Sequence, residues 1–185
     1  MKNKNPRVSV QLLASLAMLI ALTLIVEKFS ITIIPKQLVV AFTFIVHTVI
    51  GMIGGPLWGF VSLFLIDIVD MLTKGGADFI IWWTLMEAVQ GALYGFFFYG
   101  KKLDWNNKKD WVHVTVAMAV ILLFGTFIFT PLLIQIYFGV PFVAQFIAGR
   151  WLKIFELPIR VFTTMALLPQ LQRIPEVRKL AGIKK

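Results

Sequence analysis

Apolar residues in this chain fall into six long blocks, and that pattern restricts the fold more than any other feature of the sequence. The blocks run from about Val8 to Val26, Leu38 to Ile53, Leu57 to Leu72, Phe79 to Tyr99, Trp111 to Phe138 and Phe142 to Leu168. Each approaches the roughly 20 residues needed to cross a hydrocarbon core about 30 Å thick. A soluble domain keeps one face of each element polar for water, and these runs do not. In lipid the backbone must satisfy its own hydrogen bonds, which favours helices. The expected fold class is therefore an all-α membrane protein, a bundle of six transmembrane helices forming a single domain over residues 1–185.

The breaks between blocks are short. A Pro35-containing segment, Glu27 to Gln37, divides the first two, and only Gly54-Gly55-Pro56 divides the second from the third, which demands a tight turn. Thr73-Lys74-Gly75-Gly76-Ala77-Asp78 precedes the fourth, Lys101 to Asp110 follows it, and Thr130-Pro131 offers a bend within the fifth. The basic start (Lys2, Lys4, Arg7) enters an apolar run too long for a signal-peptide core and without a small-residue cleavage site, so the first helix is expected to be retained.

A net charge of +9 raises the question of nucleic acid, and the positions of the cations answer it. With six crossings and a cytoplasmic N-terminus, twelve cations flank the cytoplasmic side: Lys2, Lys4, Arg7, Lys101, Lys102, Lys108, Lys109, Arg173, Arg178, Lys179, Lys184 and Lys185. Lys28, Lys36 and Lys74 face them on the other side. This is the positive-inside asymmetry of a membrane protein with both termini cytoplasmic, and it needs no nucleic acid.

The chain has no cysteine, and two isolated histidines, His47 and His113, make no metal cluster, so neither metal nor cofactor is expected. It contains no P-loop, His-Glu-x-x-His or Gly-x-Ser-x-Gly pattern. An ATP-driven cycle would have to borrow its ATPase, and the chain is not expected to be an enzyme.

Ionisable groups within apolar blocks are expensive, about 2.5–3.5 kcal/mol each at mid-membrane, and they carry most of the functional information. Asp67 and Asp70 share one face near the outer end of the third helix. Trp83, Glu87, Gln90 and Tyr94 follow a helical stripe in the fourth, while Arg150, Lys153, Glu156 and Arg160 lie along roughly one side of the sixth, read as a continuous helix. Opposite charges of this kind either pair with one another to hold the bundle or line a pocket. Trp82, Trp83, Gln135 and Tyr137 near the outer mouth favour a pocket for a polar, flat or anionic molecule, since an ion pair needs no aromatic wall. The candidate binding residues are Asp67, Asp70, Trp83, Glu87, Gln90, Arg150 and Lys153. His47 reads as a hydrogen-bonded interhelical residue. Small residues recur at four-residue spacing as Ala17/Ala21, Gly51/Gly55 and Gly91/Gly95. The glycine pairs suit packing within the bundle, and the alanine pair suits a docking face for a partner helix.

In order along the chain, Ala17-Met-Leu-Ile-Ala21, Gly51-Met-Ile-Gly-Gly-Pro-Leu-Trp-Gly59 with Asp67 after it, Gly91-Ala-Leu-Tyr-Gly-Phe-Phe-Phe-Tyr99 before a basic loop, and Ala148-Gly-Arg-Trp-Leu-Lys-Ile-Phe-Glu-Leu-Pro158 resemble the substrate-binding S component of energy-coupling factor (ECF) vitamin transporters. The resemblance implies a bacterial plasma-membrane protein that captures a vitamin at its outer face. It also implies three partners, a transmembrane coupling subunit and two ATPases, the former docking on the Ala17/Ala21 surface. The folate branch is the most similar, with the pyridoxine, hydroxymethylpyrimidine and pantothenate branches beside it. Trp82-Trp83-Thr84-Leu85-Met86-Glu87 departs from the Gly-Phe-Thr-Leu-Thr type of run associated with folate proteins. For a folate-like ligand, Glu87, or else Asp67 or Asp70, would accept the ring N–H groups, Trp83 would stack, and Arg150 and Lys153 would hold the acid tail. The Ile31 to Gln37 and Thr73 to Asp78 loops would contribute to such a site. A reading from another class is a scaffold of a membrane complex, in which the buried charges only hold the bundle together.

Overall fold

A computed structural model of the chain describes residue 6 and residues 8–34, 38–73 and 80–183. Helix α1, Val10–Glu27, starts where the Ser9 hydroxyl accepts the Leu12 N–H at 3.1 Å. It buries only Leu12, Leu16 and Thr23 and turns large apolar residues such as Val10, Met18 and Ile25 outward. A helix apolar on all sides with so little protein cover suits lipid as its surroundings.

The purely helical expectation needs one correction. Strands β1, Ile31–Ile34, and β2, Leu38–Val40, form an antiparallel hairpin with Ile31 opposite Val40 and Thr32 opposite Val39. Runs of β-branched residues fit a pleated ribbon better than a helix. The second helix, expected from Leu38, accordingly starts at Thr43.

Helix α2, Thr43–Thr73, is interrupted at Gly55, whose φ of 66° and ψ of −172° are not helical. An unbroken helix of this length would extend for about 46 Å. Thr43 and His47 nevertheless line the same cavity as Asp67 and Asp70, so the chain folds back at Gly55. Only glycine reaches this backbone region without strain, and Pro56 then opens the second arm, where its missing N–H loses no helical bond. The Gly-Gly-Pro run thus produces the tight turn it predicts.

Helix α3, Ile81–Phe98, packs against both arms of α2 through glycines. A Cβ added to Gly51 would come within 2.6 Å of the Tyr94 backbone, one on Gly59 would strike the Gly91 backbone, and one on Gly95 would strike Gly55. The glycine pairs therefore serve packing inside the bundle. This close approach sets the Trp83 to Tyr94 stripe beside His47 and Asp67.

Helix α4, Lys108–Leu122, continues through a π-helical turn, Leu123–Phe129, into α5, Thr130–Phe138. The bend expected at Thr130-Pro131 takes this form because Pro131 lacks an N–H and its ring crowds the preceding turn. The Thr130 N–H bonds to the Gly125 carbonyl, and so does its hydroxyl, at 2.7 Å.

The sixth apolar block is not one helix. It comprises α6, Phe142–Ile147, a 3-10 turn, Arg150–Phe155, and α7, Glu156–Leu171. Gly149, with φ 122°, breaks the first from the second, and Pro158 is accommodated in the first turn of α7. The uniform helical stripe expected for Arg150, Lys153, Glu156 and Arg160 is therefore corrected. Helix α8, Pro175–Leu180, folds back so that the Gly100 N–H donates to the Ala181 carbonyl at 2.9 Å. The core gathers Leu12, Leu16, Ile50, Leu63, Phe98, Met118, Ile121, Met165 and Leu168 from the long helices.

By length and composition alone, Val10–Glu27, Thr43–Thr73 and Lys108–Phe138 are sufficient to cross a membrane. Polar Glu87 and Gln90 dilute α3, and the break at Gly149 shortens α7, so these two carry a weaker signal.

Candidate functional site

A cavity of about 290 Å³ is enclosed by the end of α1, both arms of α2, α3, the π-helical turn, and Lys153 and Arg160 from the broken sixth block. Carboxylates and cations both line it. The Thr84 hydroxyl donates to Asp67 Oδ2 at 2.5 Å, a short charge-assisted bond that fixes the carboxylate. Asp70 lies one helical turn further along, and Gln90 Nε2 donates to Glu87 Oε1 at 3.2 Å. The side chain of Gln90 fits because residue 125 is glycine: a Cβ there would come within 2.6 Å of its amide.

The broken sixth block contributes the cations. Arg160 Nη2 and Nε donate to Glu156 Oε2 at 2.9 and 3.2 Å, Nη1 reaches the Tyr94 hydroxyl at 3.4 Å, and the guanidinium carbon stands 4.9 Å from the centre of the Phe44 ring. Lys153 Nζ lies 3.6 Å from Glu156 Oε1. One carboxylate thus serves two cations, and both cations also line the cavity. The 3-10 turn leading into α7 brings this about, because Lys153 and Arg160 sit three residues before and four residues after Glu156.

Trp83 lines the cavity with its ring packed on Phe138, centroids 6.0 Å apart. His47 meets Tyr94 edge-on at 6.2 Å, and its Nε2 is buried without a hydrogen-bond partner among the described residues, contrary to the interhelical bond expected for it.

Of the residues singled out from sequence, Asp67, Asp70, Trp83, Glu87, Gln90 and Lys153 converge on this one cavity. Arg150 does not line it. It is only 2% exposed, donates from Nη1 to the Thr126 carbonyl at 3.0 Å, and leaves Nε and Nη2 without a partner among the described residues. Trp82 and Tyr137 belong to a separate apolar groove, and Gln135 Oε1 accepts the Phe142 N–H at 3.1 Å, so Trp83 is the only one of the four expected mouth residues at the cavity. Residues 35–37 and 74–78 of the two expected loops lie outside the described residues, while Ser30 and Ala41, flanking the hairpin, line the cavity. Arg160, Tyr94 and His47 are cavity residues that the candidate set omitted. Their signals were the four-residue spacing from Glu156, the end of the Trp83 stripe, and a lone histidine in an apolar run. Ala17 and Ala21 lie on the exposed face of α1.

The family described as "ECF transporter, substrate-specific component" matches residues 11–172. The chain belongs to that family. Among individual relatives, the folate transporter FolT of Streptococcus mutans serotype c is 66% identical over 181 residues, 98% of this chain and 97% of that one. The folate transporter FolT of Leuconostoc mesenteroides is 24% identical over 118 residues, 64% of this chain and 60% of that one. A crystal structure of FolT bound with folic acid matches with a TM-score of 0.76 at 28% identity, covering 94% of this chain and 98% of that one. A polar cavity lined by both carboxylates and cations has the chemistry to hold a molecule that carries both N–H donors and negative charge.

Proposed function

We propose that this S component captures folate at the outer face of a bacterial plasma membrane and delivers it to partner subunits for ATP-driven import. The observation that carries the reading is the convergence of carboxylates and cations on one cavity that Trp83 also lines. A pterin ring offers adjacent N–H donors, which a carboxylate accepts in pairs, and a flat face on which an indole can stack. Glu87 takes the ring, with Asp67 and Asp70 beside it, Gln90 orients the Glu87 carboxylate, and Trp83 stacks. The acid tail goes to Lys153 and Arg160, with Arg150 supplying a further positive charge behind the wall. The 66% identity to a folate transporter over nearly the whole chain supports folate over the pyridoxine, hydroxymethylpyrimidine and pantothenate readings.

The proposed architecture is a single domain over residues 1–185 crossing the bilayer six times, the two arms of α2 counting as two crossings, with both termini cytoplasmic. The partners are a transmembrane coupling subunit and two ATPases, and the exposed Ala17/Ala21 face of α1 is the proposed contact with the coupling subunit. Calorimetric titration of the purified chain with folate, pyridoxine, hydroxymethylpyrimidine and pantothenate tests the ligand. Saturable binding of one folate per chain is expected. Absence of folate binding by folded protein that takes one of the others would overturn the assignment.

A further inference from the structure

A second cavity, of about 470 Å³, lies at the other end of the bundle, and vitamin capture makes no use of it. The loop after α3 forms one side, α7 the floor, and the segment running through α8 the other side. Among the described residues, Lys102 and Arg173 line it together with Arg178, which has a partner of its own, and the lining includes the carboxylate of Asp104, whose Oδ1 already accepts the Asn106 N–H at 3.0 Å. Ala166 and Pro169 are the partly exposed apolar residues that α7 contributes, over a fully buried Met165.

The walls are built to hold their shape. Gln172 is buried and clasps the loop, its Oε1 accepting the Leu103 N–H at 2.9 Å and its Nε2 donating to the Lys101 carbonyl at 3.0 Å. An aromatic cluster stands beside the cleft: Trp105 packs edge-on against Trp111 at 5.0 Å and Phe162 at 5.8 Å, and the Trp111 indole N–H donates to the Trp105 carbonyl at 2.8 Å. Trp105 and Phe162 are both exposed, on the loop and on the outward face of α7. Exposed tryptophans beside an apolar helix face mark the level where hydrocarbon gives way to headgroups.

We propose that this cleft binds the phosphate headgroup of an anionic phospholipid from the cytoplasmic leaflet. Charge complementarity selects an anion, and the exposed rings of Trp105 and Phe162 beside the cleft select a lipid over free phosphate, which has no acyl chain to lay against them. Basic pockets between helices at the cytoplasmic side are suited to such headgroups. The leaflet assignment rests on the orientation proposed above, whereas binding itself does not.

The test is native mass spectrometry of the full chain in detergent with an equimolar mixture of phosphatidylglycerol and phosphatidylcholine of identical acyl chains. The wild type should retain phosphatidylglycerol preferentially. Lys102→Gln/Arg173→Gln should retain it about thirty-fold more weakly, equivalent to ~1 kcal/mol for each cation removed near a membrane surface, with phosphatidylcholine unaffected. Calorimetric titration with folate should be the same for both proteins, which separates failure here from failure of the vitamin site. Equal retention of the two lipids by wild type, or unchanged phosphatidylglycerol retention in the variant, would overturn the proposal. Displacement of the lipid by about 10 mM inorganic phosphate would also overturn it, in favour of a free-anion site. Lys102→Glu, at an exposed loop position, carries the same expectation should the double variant not accumulate.

Discussion

Glu156→Gln separates a binding wall from a structural ion pair. Glu156 bonds both cations that face the cavity, Lys153 at 3.6 Å and Arg160 at 2.9 Å, and the three side chains are only 13–15% exposed. The substitution keeps shape and removes one charge. Breaking a buried pair from one side costs about 3–5 kcal/mol, reduced to about 2–3 kcal/mol here because the cavity opens to water. The ligand-free variant should therefore unfold at lower temperature. A bound folate tail presents its own carboxylates to the same cations. In the wild type these repel Glu156 across the guanidinium at a separation of ~6 Å, which at an effective dielectric constant of 20 amounts to about 2.8 kcal/mol before further screening. Removing that repulsion should tighten folate binding by roughly ten- to a hundredfold. Thermal unfolding with and without folate, alongside calorimetric titration, reads both effects. A folate analogue whose tail carboxylates are converted to amides should show no gain. Unchanged folate affinity would mean that these cations do not meet the tail, and weaker affinity would mean that Glu156 is needed to pose them; either result refutes the reasoning.

Other consequences follow from the packing and the charges. Ala17→Trp/Ala21→Trp should abolish folate uptake and co-purification with the coupling subunit while leaving binding by the isolated chain intact; normal uptake would show that this face of α1 meets only lipid. Gly59→Ala should destabilise the protein by about 1–3 kcal/mol or more, because the new methyl meets the Gly91 backbone and no side chain there can move aside; an unchanged unfolding temperature would contradict the close approach of α2 and α3. Cysteine introduced at position 74 should react with an impermeant thiol reagent added outside intact cells, and cysteine at 105 should not; the reverse pattern would invert the proposed topology.

Where regular helix meets lipid, the sequence was informative. The Gly54-Gly55-Pro56 turn, the glycine pairs and the Trp83, Glu87, Gln90, Tyr94 stripe each express a backbone requirement or a 3.6-residue period, and both are visible in the order of residues. The failures came where helix stops without a polar break. Leu38–Val40 is as apolar as the span that follows it, and only its β-branching hints at strand. Ala148-Gly149-Arg150 read as continuous helix because a single glycine inside an apolar run does not by itself announce a turn. That error carried Arg150 into the pocket, since the 3-10 turn resets which residues share a face.

The irregular segments also need their own polar groups satisfied, and this gives Arg150 a role that can be tested apart from Lys153. Non-helical backbone at membrane depth persists where it is buried in protein or lines a cavity. The π-helical turn does the latter, with Gly125 and Thr126 at the cavity wall. The Gly125 carbonyl accepts from the Thr130 N–H and hydroxyl, and the Thr126 carbonyl accepts from Arg150. Arg150 therefore ties the π-helical turn to the broken sixth block while holding a positive charge behind the wall proposed to take the tail. Arg150→Met removes both contributions. The lost hydrogen bond should lower stability by about 1–3 kcal/mol, and the lost charge should weaken folate more than the diamide analogue. Arg150→Lys keeps the charge on a shorter donor, so it should restore discrimination between the two ligands more fully than it restores stability. If folate and diamide lose affinity equally in Arg150→Met, the charge of Arg150 does not reach the tail, and its part is confined to holding the turn in place.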